Sequence, residues 1–206
     1  NKKRTYEMCD EIEKRNLKMT WSCISRADHL DRDLLKRMRK AGCWMIAMGI
    51  ESGNQEILDF IKKDVKLEKI REATDWTHEE GIKVRGFFQI GHPKETKESI
   101  EATINFAKSL KIYTAEFTIT TPFKGTELYE IAKDYGTFDT TDTSKFSKMF
   151  PVFTPKGLTR EFLLKKQKEL HRRYYFRPKK ILEFASLIRS FDDIKRYWSG
   201  AKILLR

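Results

Sequence analysis

Residues 19–135 repeat one pattern four times: a short apolar run, a glycine or polar turn, then an amphipathic stretch. The apolar runs are Met19–Ile24, Trp44–Met48, Ile82–Ile90 and Ala115–Thr121. Their lengths and composition predict strands. The stretches that follow predict helices over Asp31–Lys40, Asn54–Lys63 with Leu67–Glu80, Thr96–Leu110 and Thr126–Tyr135. A further helix, Arg4–Asn16, precedes the first strand, with Tyr6, Cys9 and Ile12 on one side. Such alternation with short loops argues a parallel sheet with helices on its outer face, joined by right-handed crossovers. Four strands cannot close a (β/α) barrel. The expected fold is therefore α/β: a partial TIM-like barrel of four parallel strands with outer helices. Its exposed edge is expected to pair with further strands or another chain.

The pattern changes after Gly136. Thr137–Pro155 is rich in Thr, Asp, Ser and Phe and reads as a long loop. Thr159–Tyr175, Lys179–Arg189 and Asp192–Tyr197 read as helices. This divides the chain into residues 1–136, the arc, and residues 137–206, a loop and a C-terminal helical extension. The formal net charge is +12, and a large share lies in residues 155–206. That surplus suits either a solvated lysine-rich surface or an anionic partner. No apolar run is long enough to span a membrane. The chain starts at Asn1-Lys2-Lys3-Arg4, without Met or an apolar leader, as a piece of a longer protein does. Cys9, Cys23 and Cys43 are spaced by neither a disulfide framework nor a compact metal motif, so no metal site is expected. Reduced, buried thiols in a cytoplasmic protein are the expectation.

The second unit is the most informative for function. Its strand runs directly into Met48-Gly49-Ile50-Glu51-Ser52-Gly53. A carboxylate and a hydroxyl thus sit at the carboxyl end of a parallel strand, where α/β folds place ligand groups.

Four stretches in order resemble radical S-adenosylmethionine (SAM) enzymes, one stretch per strand. They are Trp21-Ser22-Cys23-Ile24-Ser25-Arg26-Ala27-Asp28; Ala41 through Gly53, with Leu58 and Lys63 beyond; Gly86-Phe87-Phe88-Gln89-Ile90-Gly91-His92-Pro93-Lys94-Glu95-Thr96; and Pro122-Phe123-Lys124-Gly125-Thr126-Glu127-Leu128-Tyr129. The match is nearest to the branch that also carries a cobalamin-binding domain, the group of the anaerobic magnesium-protoporphyrin IX monomethyl ester oxidative cyclase. A fifth stretch, Arg173 to Ile181, is similar to a segment of the same branch. The resemblance implies an enzyme that uses a 4Fe-4S cluster to cleave SAM reductively and functionalise an unreactive carbon of a small-molecule substrate, with tetrapyrroles among the candidates. It implies SAM, a 4Fe-4S cluster and cobalamin as cofactors, and an external electron donor as partner.

The chain contains no CxxxCxxC. By the resemblance it is the back portion of a larger enzyme, with the cluster segment, the rest of the barrel and the cobalamin domain expected upstream. The nucleoside contacts carried over are Arg26 for the methionine carboxylate, Glu51 for the ribose hydroxyls, and Gln89 and Gly91 at the third strand end. Ser52 either reaches the methionine moiety or caps the following helix. Arg26 reads equally as a surface residue. Glu95 and Thr96 read as a helix start, His92 as a packed or solvated histidine at the site edge, and Thr126 as a cap. No catalytic residue is assigned. Two other readings stay open: a radical SAM RNA-modifying enzyme of the methylthiotransferase kind, and a non-catalytic basic module for nucleic acid or scaffolding. The tail lacks the short strands of an appended RNA-binding barrel, which makes nucleic acid the less suitable partner.

Overall fold

The computed structural model describes residues 1–138 and 152–205. The four apolar runs form parallel strands in sequential order: β1 (Trp21–Ser25), β2 (Cys43–Glu51), β3 (Lys83–Ile90) and β4 (Thr114–Ile119). The helices between them are α2 (Arg32–Lys40), α3 (Gln55–Phe60), α4 (Leu67–Glu79) and α5 (Lys97–Ser109). A first helix, α1 (Lys2–Lys14), packs on α2 and buries Cys9 and Ile12. This is the four-stranded partial barrel expected from the alternation.

Local chemistry sets the helix starts. Asp31, Asn54 and Thr96 each accept a hydrogen bond from a backbone N–H in the first turn of α2, α3 and α5. Each satisfies a donor the helix cannot pair internally. Thr96 and Ser99 do so reciprocally. Along β3, Val84, Gly86, Phe88 and Ile90 are buried while Lys83, Arg85, Phe87 and Gln89 are not. β4 alternates the same way. One face of the sheet is therefore sealed by helices, with Phe88 and Phe117 stacked at 5.2 Å beneath them. The other face, which would line a barrel's interior, stays open.

Two expectations need correction. The Thr137–Pro155 loop falls largely outside the described residues, but its ends pair: β5 (Gly136–Phe138) and β6 (Phe153–Pro155) form an antiparallel ribbon directly after α6 (Glu127–Tyr135). The outer edge of β4 is not left open for another strand. Helix α7 (Arg160–Tyr175) lies along it and answers its backbone with side chains. Gln167 Nε2 donates to the Phe117 carbonyl at 2.8 Å, and His171 Nε2 accepts from the Phe117 N–H at 3.3 Å. The Tyr175 hydroxyl both accepts from and donates to Ala115, at 3.1 and 2.8 Å. Gln167, His171 and Tyr175 recur every four residues on one helix face, while free strand-edge groups recur every two residues. The helix thus substitutes for a neighbouring strand. His171 Nδ1 lies 2.9 Å from the Gln167 carbonyl. That arrangement suits the neutral ring, and burial holds its pKa below the ordinary value.

The tail continues as α8 (Pro178–Ala185) and α9 (Phe191–Leu205), the latter longer than the stretch expected from sequence. Lys180 anchors α8. It is 5% exposed, and its ammonium donates to the carbonyls of Ile112 and Tyr113, both at 2.8 Å, and to Glu183 at 2.7 Å. Lys180→Met is expected to take the ammonium donor from the Tyr113 carbonyl and from Glu183, while the Tyr174 hydroxyl still donates to the Ile112 carbonyl, and to cost about 2–3 kcal/mol, mostly in the docking of the tail. Limited proteolysis reads this directly. Faster cleavage within residues 176–206 than in the parent is the expected result, and equal rates would show that the anchor is dispensable.

Candidate functional site

The carboxyl ends of β1–β3 bring three of the five expected residues, Arg26, Glu51 and Gln89, to two adjoining grooves and seat Ser52 and Gly91 behind them. Glu51 closes β2 at a register irregularity between Gly49 and Glu51. Its backbone is left-handed, with φ of 68°. A non-glycine residue held there costs conformational energy that the surrounding structure must over-determine. The side chain turns onto Lys63, whose ammonium lies 3.1 Å from Oε1. Both side chains are less than 20% exposed. Lys63 is presented by a turn whose two flanking residues, Lys62 and Asp64, are also left-handed (φ 55° and 50°). Gly49 makes room for the pair: a Cβ there would lie 2.6 Å from Glu51 Oε1 and 3.2 Å from Lys63 Nζ.

Arg26, just beyond β1, joins the same network. Its Nε and Nη2 each lie 3.0 Å from the Asp28 carboxylate, and Nη2 also donates to the Lys63 carbonyl at 2.7 Å. The guanidinium holds the Asp28 carboxyl below its usual range. Lys63 therefore ties the β1 end to the β2 end. The second of the four stretches includes it, but the sequence assigns it no role. Its signal was weak, a lysine twelve positions after Glu51 with no periodic relation to it.

Gln89 sits half-buried on the open face of β3. It shares a groove of about 310 Å³ with Glu51, Lys63, His92 and Phe60. On the other side of the Glu51–Lys63 ridge, a groove of about 700 Å³ runs past Arg26 and Ser25. Ser52 is placed differently. It is fully buried, its Oγ accepts from the Asn54 N–H at 3.1 Å, and it lies 3.2 Å from Thr103 Oγ1 on α5. No exposed atom of Ser52 faces either groove; it supports the turn on α5, while Asn54 caps α3. Gly91 is left-handed (φ 84°) and buried, and the space beside its α-carbon belongs to Leu163 of α7 at 3.2 Å. The close approach it permits is thus to the tail helix.

Behind Gln89 the loop is stapled by Glu95. Its carboxylate accepts from the backbone N–H groups of Gly91 and His92, the latter at 3.1 Å. His92 Nδ1 lies 3.2 Å from Thr120 Oγ1. His92 Nε2 and Glu95 Oε1 are buried without a hydrogen-bond partner among the described residues. Burial holds the imidazole neutral, lowering its pKa to about 4, and pushes the Glu95 carboxyl up to about 8 against the pull of the two N–H donors. Folding thus favours protonated Glu95. That contribution is complete below its ordinary value near 4.5 and is lost as pH rises through about 8. Glu95→Gln keeps an acceptor oxygen and is expected to flatten the fall in thermal stability between pH 5 and 8.5. Parallel melting curves for the two proteins across that range would refute it.

The comparisons bear directly on this arrangement. A model of the radical SAM superfamily matches residues 2–107. An uncharacterised methyltransferase of Pyrococcus horikoshii is 35% identical over 183 residues, 89% of this chain and 40% of its own length. The anaerobic magnesium-protoporphyrin IX monomethyl ester cyclase of Cereibacter sphaeroides is 33% identical over 86% of this chain and 29% of its own length.

The chain belongs to the radical SAM superfamily.

It spans well under half the length of those two relatives. The radical SAM methyltransferase TsrM of Kitasatospora setae, solved with cobalamin and a 4Fe-4S cluster, shares the fold at a TM-score of 0.60 and 17% identity, over 85% of this chain and 36% of that one. Methylornithine synthase superposes with a TM-score of 0.58 at 16% identity, over 84% of this chain and 43% of that one. A radical SAM enzyme uses SAM and a 4Fe-4S cluster. The residues here do not fit the cluster. Among the described residues no group of three or more His, Cys, Asp and Glu stands ready to hold a metal, and Cys9, Cys23 and Cys43 lie on α1, β1 and β2. A carboxylate, an ammonium, an amide and a guanidinium around the carboxyl ends of β1–β3 are the kinds of group that pair with a zwitterionic, hydroxyl-bearing nucleoside such as SAM. No helix among the described residues is long and apolar enough to cross a membrane.

Proposed function

We propose that this chain is the nucleoside- and substrate-holding back portion of a cobalamin-using radical SAM enzyme that functionalises an unreactive carbon in tetrapyrrole metabolism. The observation that carries the nucleoside assignment is the Glu51–Lys63 pair, held by strained backbone at a carboxyl strand end. Residues 1–136 form the arc and 137–206 the extension that closes it. Glu51 accepts the two ribose hydroxyls of SAM. Lys63 fixes that carboxylate from one side, and Arg26 faces the methionine carboxylate. Gln89 supplies an amide on the open face, and Gly91 shapes the loop behind it. The cluster and cobalamin are held by segments outside this chain, and an external donor supplies electrons. When bound, the cluster provides the electron for SAM cleavage; the residues here orient the nucleoside and keep it from water. The substrate class rests on the relatives' names and on the basic tail.

Two measurements test this together. The chain alone, reconstituted anaerobically, should hold no stoichiometric four-iron cluster by iron and sulfide analysis. The enzyme containing the upstream segment should hold one and release 5′-deoxyadenosine from SAM under reducing conditions. A cysteine-dependent four-iron cluster in the chain alone, or no SAM cleavage by the longer protein, overturns the reading.

A further inference from the structure

A further cavity, of about 840 Å³, opens at the other end of the strands. Met45, Arg85, Thr114 and Ala115 mark its sheet side, near the starts of β2, β3 and β4. Its walls come from the tail: Tyr175, Phe184, Ile188, Ile194, Tyr197 and Trp198. Large apolar side chains face it without cover, Trp198 at 58% and Ile194 at 47% exposed. That volume falls in the range of small-molecule sites, which are mostly apolar with a few polar groups. The charged side chains that line it are Arg85, Glu116 and Arg196. Arg85 lines the cavity paired with Glu116 at 2.8 Å, and Arg196 and His171 line it as well. Residues 176–202 carry seven Lys and Arg against three Asp and Glu. Lys180 pairs with Glu183 and Arg196 with Asp193, which leaves five cations of this segment against Asp192. The local field therefore favours an anion.

We propose that this cavity binds the apolar body of a single acidic amphiphile, a ring system or chain with a carboxylate or similar anion at one end. A membrane surface is the poorer occupant, because the sheet-side residues sit within a concavity that a flat bilayer does not enter. The site deepens the substrate assignment above. Arg85 and Gln89 lie on the same face of β3, so a molecule seated here and extending along the open sheet spans roughly 13 Å to the nucleoside edge. Its binding does not require SAM.

The test is a fluorescence titration of the chain with 11-(dansylamino)undecanoic acid, without SAM, followed by displacement with oleate and with oleyl alcohol. One saturable site per chain is expected, with oleate displacing the probe at least tenfold better than the alcohol. Ala201→Trp, which fills the cavity, should weaken the probe at least tenfold with an unchanged far-UV circular dichroism spectrum. If that variant does not fold, the double variant Ile194→Ala/Trp198→Ala should show the same loss. Leu182→Ala, exposed outside the cavity, should bind like the parent, and Arg196→Gln should narrow the preference for the acid. Absence of a saturable site overturns the proposal, as does binding untouched by the cavity variants. Equal displacement by alcohol and acid removes the anionic head from it. Sedimentation with phosphatidylglycerol vesicles without binding of the monomeric probe replaces it with surface docking. Failure of SAM binding in the longer enzyme would leave this result standing, and the reverse also holds.

Discussion

Glu51→Gln in the full-length enzyme is expected to weaken SAM binding by about 10- to 100-fold while the protein melts within a few degrees of the parent. The amide keeps an oxygen for Lys63 but loses the carboxylate proposed above to accept from two ribose hydroxyls. One charge-assisted hydrogen bond is worth about 1.5–3 kcal/mol net, and every 1.4 kcal/mol is about tenfold in affinity. Lys63→Met should weaken binding too, by releasing the carboxylate from its 3.1 Å partner. Ser52→Ala should behave in the opposite sense. Its Oγ bonds to Asn54 and Thr103 inside the protein, so its loss lowers stability and leaves affinity close to the parent's. Isothermal titration with SAM, paired with thermal melts, separates the two. If Glu51→Gln binds SAM normally while Ser52→Ala does not, the roles assigned to these neighbours are reversed.

A large stability effect is expected at Gly53. A Cβ there would lie 2.6 Å from Phe106 Cβ, 2.7 Å from Thr103 Cα and 2.8 Å from the Ala102 carbonyl oxygen. These atoms belong to the backbone of α5 or sit directly on it, so no side-chain rotation relieves the overlap. Gly53→Ala is therefore expected to cost about 3 kcal/mol, the upper end for overpacking. The turn after Glu51 rests on α5 through the Gly53 N–H, which donates to Thr103 Oγ1 at 3.0 Å. The variant should accordingly lose SAM affinity as well. Urea unfolding with an unchanged slope and a lower midpoint is the expected signature. A midpoint equal to the parent's would mean that α3 and α5 separate freely, and that the seating of this turn contributes little.

The alternation of apolar runs and amphipathic stretches was enough to determine four parallel strands, their order and their outer helices, because strand and helix periods are local properties. The helix starts at Asp31, Thr96 and Thr126 were legible for the same reason: each of these side chains acts within three residues of itself. Glu51, Arg26 and Gln89 could be located as strand-end residues, since a carboxyl strand end is a position in sequence. Their company could not. Lys63 meets Glu51 only because a six-residue helix and a left-handed turn fold the chain back over Gly49. Ser52 adjoins Glu51 in sequence, yet the bulge at the end of β2 sends the two side chains to different places, one to the groove and one into the α5 contact. The covering of β4 by Gln167, His171 and Tyr175 pairs residues about fifty to sixty apart in the chain. The tail cavity likewise exists only where α8 and α9 stand off from the strand starts. Each of these depends on distances between elements, which packing sets and no local pattern encodes.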